Sequence, residues 1–291
     1  MNVLLHGLEI PTQFQTYIYQ LASSFEKSGA KVLVTQKLFN SIKNKGGSNV
    51  DLSVLGSKEA LAVINVVISI GGDGTLLDTI SLIGAFEIPV LGINTGRMGF
   101  LATIAKDEIE AAVKDLMEGH YSLEDRSLVK LESSIPLFEG LNFGLNEFTI
   151  HKRDTSSMIT VHTYIDGDYL NSYWADGLIV STPTGSTGYS LSCGGPLISP
   201  IAKNFVITPV SPHNLNVRPI VVSDDSEISF KIEGRSEKFL VSLDSRSAPI
   251  DASVALKIKK ELFVAKLVKF HNYSFFDTLR QKLNWGYDMR N

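Results

Sequence analysis

The hydrophobic pattern changes character about 120 residues into the 291-residue chain. Before that point, short continuous runs of aliphatic and β-branched residues alternate with segments of helical spacing. Residues 2–8 read as a strand, residues 12–28 as an amphipathic helix ended by Gly29, and residues 31–35 as a second strand. A shorter helix is expected over residues 37–43, followed by an exposed loop at Gly46, Gly47, Ser48 and Asn49. Residues 66–70 and 89–93 are apolar without alternation, which is the signature of strands buried on both faces of a parallel sheet. Each leads into a glycine-bearing turn. Gly71-Gly72-Asp73-Gly74-Thr75 follows the first and precedes a helix expected over residues 76–84, and Asn94-Thr95-Gly96-Arg97-Met98-Gly99-Phe100 follows the second. Residues 107–117 put Ile109, Ala112, Val113 and Leu116 on one helical face, with Gly119 placed to end that helix. This is βαβ organisation. It predicts an α/β N-terminal domain with an open, mostly parallel sheet and helices on both faces.

Beyond residue 120 the period falls to two. Residues 128–132, 158–165, 177–181, 205–209, 220–222, 227–232, 239–243 and 254–259 form short alternating segments, and Asp166-Gly167, Asp224-Asp225 and Glu233-Gly234 supply turns. The expected division is a phosphate- and nucleotide-binding α/β domain over residues 1–119 and a β-rich, sandwich-like C-terminal domain over residues 120–271. A helix read at residues 275–283, within the tail 272–291, is expected to pack back on the first domain.

Composition narrows the classes of function. A content of 44% hydrophobic and 20% charged residues is that of an ordinary soluble protein long enough for two cores. The net charge of -4 and the pI near 5.9 argue against a nucleic acid or an anionic membrane as partner. Cys193 is the one cysteine, so no disulfide forms within a chain, which fits a reducing compartment. Residues 1–8 run directly into a strand without a secretory pattern, and no apolar stretch approaches the roughly 20 residues of a membrane span. A cytoplasmic location is expected. The six histidines show no metal-ligand spacing, and Gly185-Ser186-Thr187-Gly188 is one residue short of a serine-nucleophile elbow.

Three segments carry candidate chemistry. In Gly71-Gly72-Asp73-Gly74-Thr75 the glycines permit close backbone approach, and their N–H groups at a helix start suit a phosphate chain. A carboxylate there needs a reason: Asp73 either caps the helix, holds a metal ion, or takes a proton from an attacking hydroxyl. The second segment runs from Asp176 to Pro196 and packs seven hydroxyl residues and four glycines behind a strand ending at Ser181. Such density of donors and acceptors suits a dinucleotide, although the same composition also marks exposed loops. The third is Asn146-Glu147, a pair able to bridge ribose hydroxyls but more often a solvated loop feature.

Taken together, these segments resemble in order and spacing the signature set of the NAD kinase family. Gly92-Ile93-Asn94-Thr95-Gly96, Gly99-Phe100-Leu101 and the C-terminal β segments to about Asp244 extend the resemblance over most of the chain. The Asp176 to Ser192 run is the most specific element. The Gly-Gly-Asp-Gly-Thr segment alone is shared with lipid kinases, and a similar one occurs in phosphofructokinases. The resemblance implies phosphorylation of the 2′-hydroxyl of the adenosine ribose of NAD by ATP, giving NADP and ADP. By similarity, Asp73 would be the proton acceptor, with Gly72 and Gly74 facing phosphates. Asn146 and Glu147 would hold the nicotinamide side, Asp176 the other end of the dinucleotide, and Thr187, Gly188, Tyr189, Ser190, Leu191 and Ser192 the adenosine pocket. Arg246 is a further candidate contact. A divalent cation, Mg²⁺, is expected with the triphosphate, without a dedicated protein cage, and the family implies a homo-oligomer, a dimer or tetramer. Asp78 stands where many relatives carry a basic residue, Trp174 where some carry Arg, and Gly188 where Ala is commoner.

Overall fold

The computed structural model describes residues 1–43, 52–96, 99–153, 157–271 and 273–286. The loop expected at Gly46 to Asn49 lies outside them. The chain divides into two compact units, Met1–Asp125 with Ala265–Asn291, and Arg126–Val264.

The first unit alternates β1 (Asn2–His6), α1 (Gln15–Lys27), β2 (Lys31–Val34), α2 (Gln36–Lys43), β3 (Ser53–Val54), β4 (Val66–Gly71), α3 (Asp73–Ile83), β5 (Val90–Asn94), α4 (Ile109–Glu118) and β6 (Tyr121–Arg126). The second contains β7 (Val129–Ser133), β8 (Phe143–Gly144), β9 (Glu147–Lys152), β10 (Ile159–Ile165), β11 (Asp168–Ala175), β12 (Gly177–Ser181), α5 (Tyr189–Ser192), β13 (Asn204–Val210), β14 (Ile220–Ser223), β15 (Ile228–Glu233), β16 (Phe239–Leu243), β17 (Arg246–Ile250) and β18 (Leu256–Lys260). The chain then returns to the first unit with β19 (Ala265–Phe270) and α6 (Phe275–Leu283).

The first sheet has the order β3-β2-β1-β4-β5-β19-β6. Pairings between β1 and β2, β1 and β4, β4 and β5, β2 and β3, and β5 and β19 are parallel. Every residue of β4 and β5 is buried, as continuous apolar runs require. Helix α1 places Ile18, Leu21, Ala22 and Phe25 inward, α4 does the same with Ile109, Ala112, Val113 and Leu116, and Gly119 closes α4 in the left-handed conformation. Two strands that fall inside the bounds 120–271 expected for the β-rich domain, β6 and β19, instead complete this sheet, and the compact units divide after Asp125 and before Ala265. The physical reason is that alternation identifies a half-buried strand without identifying its partner.

The second unit is two six-stranded sheets, β11-β10-β15-β18-β7-β8 and β14-β13-β12-β9-β16-β17. The pairings recorded within them are antiparallel. They share one core, in which Phe148 of β9 meets Phe230 of β15 with ring centroids 5.9 Å apart. Fully burying such a side chain contributes about 1.5–3 kcal/mol, so the alternating positions of both sheets hold the layers together.

Candidate active site

In the first unit, the register sets the geometry. Gly71 is the Cα partner of Asn94, so the two glycine turns leave adjacent parallel strands side by side at their carboxyl ends, where open α/β sheets build sites. Helix α3 begins at Asp73, earlier than the spacing of its apolar residues implied. Its carboxylate turns to the second turn: Phe100 N–H donates to Oδ2 at 2.8 Å, and Leu101 and Ala102 N–H donate to Oδ1 at 3.0 and 3.1 Å. Asn94 ties the far side of that loop by donating from Nδ2 to the Ala102 carbonyl at 3.2 Å. Gly99 is obligatory here, because a Cβ would lie 1.8 Å from Asp73 Oδ1. Among the described residues, a Cβ at Gly72 or Gly74 would meet nothing within 4 Å beyond its chain neighbours and helix backbone, which leaves room for a phosphate chain to approach the backbone.

Asp78 is no open carboxylate facing the glycine turn. The buried His6 ring contacts Asp78 Oδ2 at 2.9 Å and Thr35 Oγ1 at 3.0 Å, while Lys37 Nζ reaches both Asp78 oxygens at 2.9 Å. The His6 contact, more than Lys37, holds the Asp78 carboxyl down at about 2 against the opposing effect of burial. A depressed carboxyl stabilises the fold above its unfolded value and loses that contribution as pH falls through its folded value. Asp78→Asn is therefore expected to cost on the order of 1–2 kcal/mol at pH 7, after solvent screening. Urea unfolding at pH 7 and near pH 2.5 should show the gap narrowing in acid, and an unchanged gap would refute an ionic origin.

In the second unit, the other two motifs come together. Strand β9 begins at Glu147 and pairs with β12 so that Ser181 lies opposite Glu147. Thr182 N–H donates to the Asn146 carbonyl at 2.8 Å, and its hydroxyl donates to the Leu145 carbonyl at 2.6 Å. Gly185 lies so close to Asn146 that a Cβ would sit 2.2 Å from its carbonyl oxygen, and a Cβ at Gly188 would lie 3.5 Å from Glu147 Oε2. That oxygen is buried without a hydrogen-bond partner among the described residues. Burial, assisted by the charge of Asp244, pushes the Glu147 carboxyl up to about 8, so it holds a proton at neutral pH.

Asp176 precedes β12 and pairs with Lys152 Nζ at 2.6 Å. Tyr189, half-exposed, stacks on His151 with centroids 5.6 Å apart. Burial lowers the His151 ring, opposed by Asp176. The hydroxyl-rich run is largely self-satisfied. Ser186 donates to the Pro183 carbonyl at 2.7 Å, Thr187 to the Thr184 carbonyl at 3.2 Å, and Ser190 meets Thr208 Oγ1 at 2.8 Å while fully buried. Thr187, Gly188, Tyr189, Leu191 and Ser192 keep exposed surface and Ser190 does not. Trp174 packs on His213 with centroids 4.3 Å apart. The Arg246 guanidinium donates to the carbonyls of Leu141 and Phe143.

Sequence reasoning left Gly99, Lys152 and Asp244 out of the site. Only the Gly99-Phe100-Leu101 resemblance hinted at the first. Among the described residues, the one cluster with metal-ligand spacing is Asp115, Glu118 and His120, which is largely exposed and whose His120 ring already lies against both carboxylates. Residues 71–75 and 99–102 contain one carboxylate, Asp73, a donor set that fits an ion brought in on phosphate oxygens and not a protein cage. No helix among the described residues is long and apolar enough to cross a membrane.

Comparison with known proteins agrees over the whole length. Residues 13–121 match the ATP-NAD kinase N-terminal domain and residues 145–269 the ATP-NAD kinase C-terminal domain. The NAD kinase of Cytophaga hutchinsonii is 51% identical over 295 aligned positions, and that of Flavobacterium psychrophilum 44% over 294, each covering 100% of both chains. An Archaeoglobus fulgidus NAD kinase solved in complex with ATP aligns at TM-score 0.77 and 26% identity, covering 98% of this chain and 99% of its own. Yeast NADH kinase, solved with NADH, shares the fold at TM-score 0.88 and 21% identity, covering 100% of this chain and 89% of its own. Both halves and their shared length thus lead to one assignment: the chain belongs to the ATP-NAD kinase family.

Proposed function

We propose that this protein transfers the γ-phosphoryl group of ATP to the 2′-hydroxyl of the adenosine ribose of NAD, giving NADP and ADP. The observation that carries this reading is full-length identity to NAD kinases. The glycine turn agrees with it, since its one carboxylate is aimed by three backbone donors. Phosphoryl transfer needs positioning and charge stabilisation more than covalent help from the protein. Asp73 takes the ribose proton as the hydroxyl attacks phosphorus. A carboxylate offers about four lone-pair directions. With two N–H groups on Oδ1 and one on Oδ2, the remaining direction belongs to Oδ2, which is the proton's destination. The backbone of Gly72 and Gly74 faces phosphates. Asn146 and Glu147 bind the nicotinamide side, Glu147 as a donor in its protonated form, and Asp176 binds the other end. Thr187, Gly188, Tyr189, Leu191 and Ser192 line the adenosine pocket, with Ser190 anchoring it through Thr208. A divalent cation, Mg²⁺, arrives with ATP and neutralises charge on the triphosphate.

The same reading assigns a cytoplasmic location, in keeping with the lone Cys193, and a homo-oligomeric state, dimer or tetramer. Edge strand β14 exposes Ile220 and Val221, the kind of surface a second copy would cover. NADP formation from NAD and ATP with Mg²⁺, coupled to an NADP-specific dehydrogenase, tests the reaction. Turnover is expected. No NADP with ATP or polyphosphate and any of several divalent cations would overturn the reading, and phosphorylation of diacylglycerol or a sphingoid base would replace it with a lipid kinase. Tight NAD binding without product would replace it with a dinucleotide sensor.

A further inference from the structure

The turn between β16 and β17 faces the Asn146-Glu147 pair and is not used by the reaction just described. It holds two residues, Asp244 and Ser245, because Leu243 and Arg246 are register partners. Asp244 adopts a left-handed φ of 53°, a conformation that costs a non-glycine residue on the order of 1 kcal/mol and persists where surroundings impose it. Its carboxylate is the surrounding in question. Leu145 N–H donates to Oδ2 at 2.8 Å, and Asn146 and Glu147 N–H donate to Oδ1 at 2.8 and 3.1 Å. The Asp244 N–H also donates to the Glu147 carbonyl at 3.0 Å. Gly144 leaves the space, since a Cβ would come within 3.0 Å of Asp244 Oδ1.

Two residues further on, Arg246 takes the opposite polarity of the same segment. Its guanidinium donates to the carbonyls of Leu141 and Phe143 and lies 5.9 Å from the ring centroids of both Phe138 and Phe143. Residues 141–147 are therefore gripped by their carbonyls through Arg246 and by their N–H groups through Asp244. The grip repeats the arrangement around Asp73. In both, a glycine precedes three residues, the first N–H donates to Oδ2, and the next two donate to Oδ1. In the first unit the carboxylate is the group proposed to react, whereas in the second the gripped segment carries the proposed binding residues.

We propose that Asp244 and Arg246 are positioning residues for dinucleotide binding: the Asp244-Ser245 turn fixes the backbone of residues 141–147 so that the Asn146 and Glu147 side chains are presented to NAD. This rests on the reading that Asn146 and Glu147 bind NAD, and it moves Arg246 from a contact to a support. The charge of Asp244 has a second effect on the same pair. Glu147 is faced by Asp244 and Tyr189, and Asp244 in turn by Arg246. Burial lifts the Asp244 carboxyl as well, against three N–H donors and Arg246. Three donors suit an ionised acceptor, so the proton of the acidic pair belongs on Glu147.

The test compares Asp244→Asn, Arg246→Lys and Asn146→Ala with wild type for kcat, KM for NAD and KM for ATP. In Asp244→Asn the amide nitrogen faces N–H donors, and KM for NAD is expected to rise about tenfold or more, with KM for ATP within about twofold. The pH dependence of KM for NAD should also move to lower pH, because removing a neighbouring negative charge favours ionised Glu147. A merely structural role would lower the active fraction and leave both KM values and the pH profile in place, which overturns the proposal. If Asp244→Asn does not fold, Arg246→Lys decides: loss of the planar fork should raise KM for NAD about threefold or more, and no change refutes the support. If Asn146→Ala raises KM for NAD while the turn variants do not, the positioning role alone fails. If Asn146→Ala has no effect, the binding role of the pair fails.

Discussion

Asp73→Asn is expected to lower kcat for NADP formation by about 10²- to 10⁴-fold, the range associated with loss of a general base. The substitution keeps the size of the side chain and removes the group able to accept the ribose proton. It also puts an amide where three N–H donors converge, so one of the bonds from Phe100, Leu101 or Ala102 turns repulsive. That loosening adds to the loss without imitating it, since it affects the loop in substrate-free protein as well. Single-turnover rates alongside thermal melting separate the two. A loss below tenfold with an unchanged melting temperature would leave Asp73 as a tether for residues 99–102 and remove it from the chemistry.

Gly99→Ala should be nearly as damaging although it changes no polar group. The added Cβ would lie 1.8 Å from Asp73 Oδ1, 2.4 Å from Cγ and 2.7 Å from Oδ2, so either the loop or the carboxylate must shift. A displacement near 1 Å at a reacting group costs about 10²-fold in rate, and that is the expected fall in kcat. Gly56→Ala is the matched control, because a Cβ there meets nothing within 4 Å among the described residues. Activity of Gly99→Ala within twofold of that control would show that the Asp73 position is not set by this loop.

The parallel half of the fold was legible because its strands have no exposed face to confuse the pattern, as in β4 and β5. Strands decided by their partners were not. Strand β11 has half-buried and exposed positions through most of its length, β17 carries Pro249 on a sheet edge, and β19 alternates like a sandwich strand yet pairs in parallel with β5. The candidate site divides along the same line. Asp73 and the Asn146-Glu147 pair stand in short motifs, so their chemistry was visible in the letters. Asp244 bonds to the Asn146 N–H across 98 residues, and no local spacing announces that. The hydroxyl-rich run looked like an array of free donors. Its bonds to Pro183, Thr184 and Thr208 depend on a backbone path the composition does not contain.

The placement of β19 between β5 and β6 has a consequence during synthesis on the ribosome. The intervening residues 126–264 take roughly 7–28 s to translate, and through that interval the Val90 end of β5 lacks its β19 partner, while Ile104 already covers Gly92 to Asn94. An unpaired strand edge is a template for pairing with other chains. The second unit, continuous in sequence, can fold as it emerges, while the first waits for the last strand of its sheet. A nascent chain stalled before Ala265 therefore holds a first sheet that ends at β5, with β6 still waiting for the strand it pairs with.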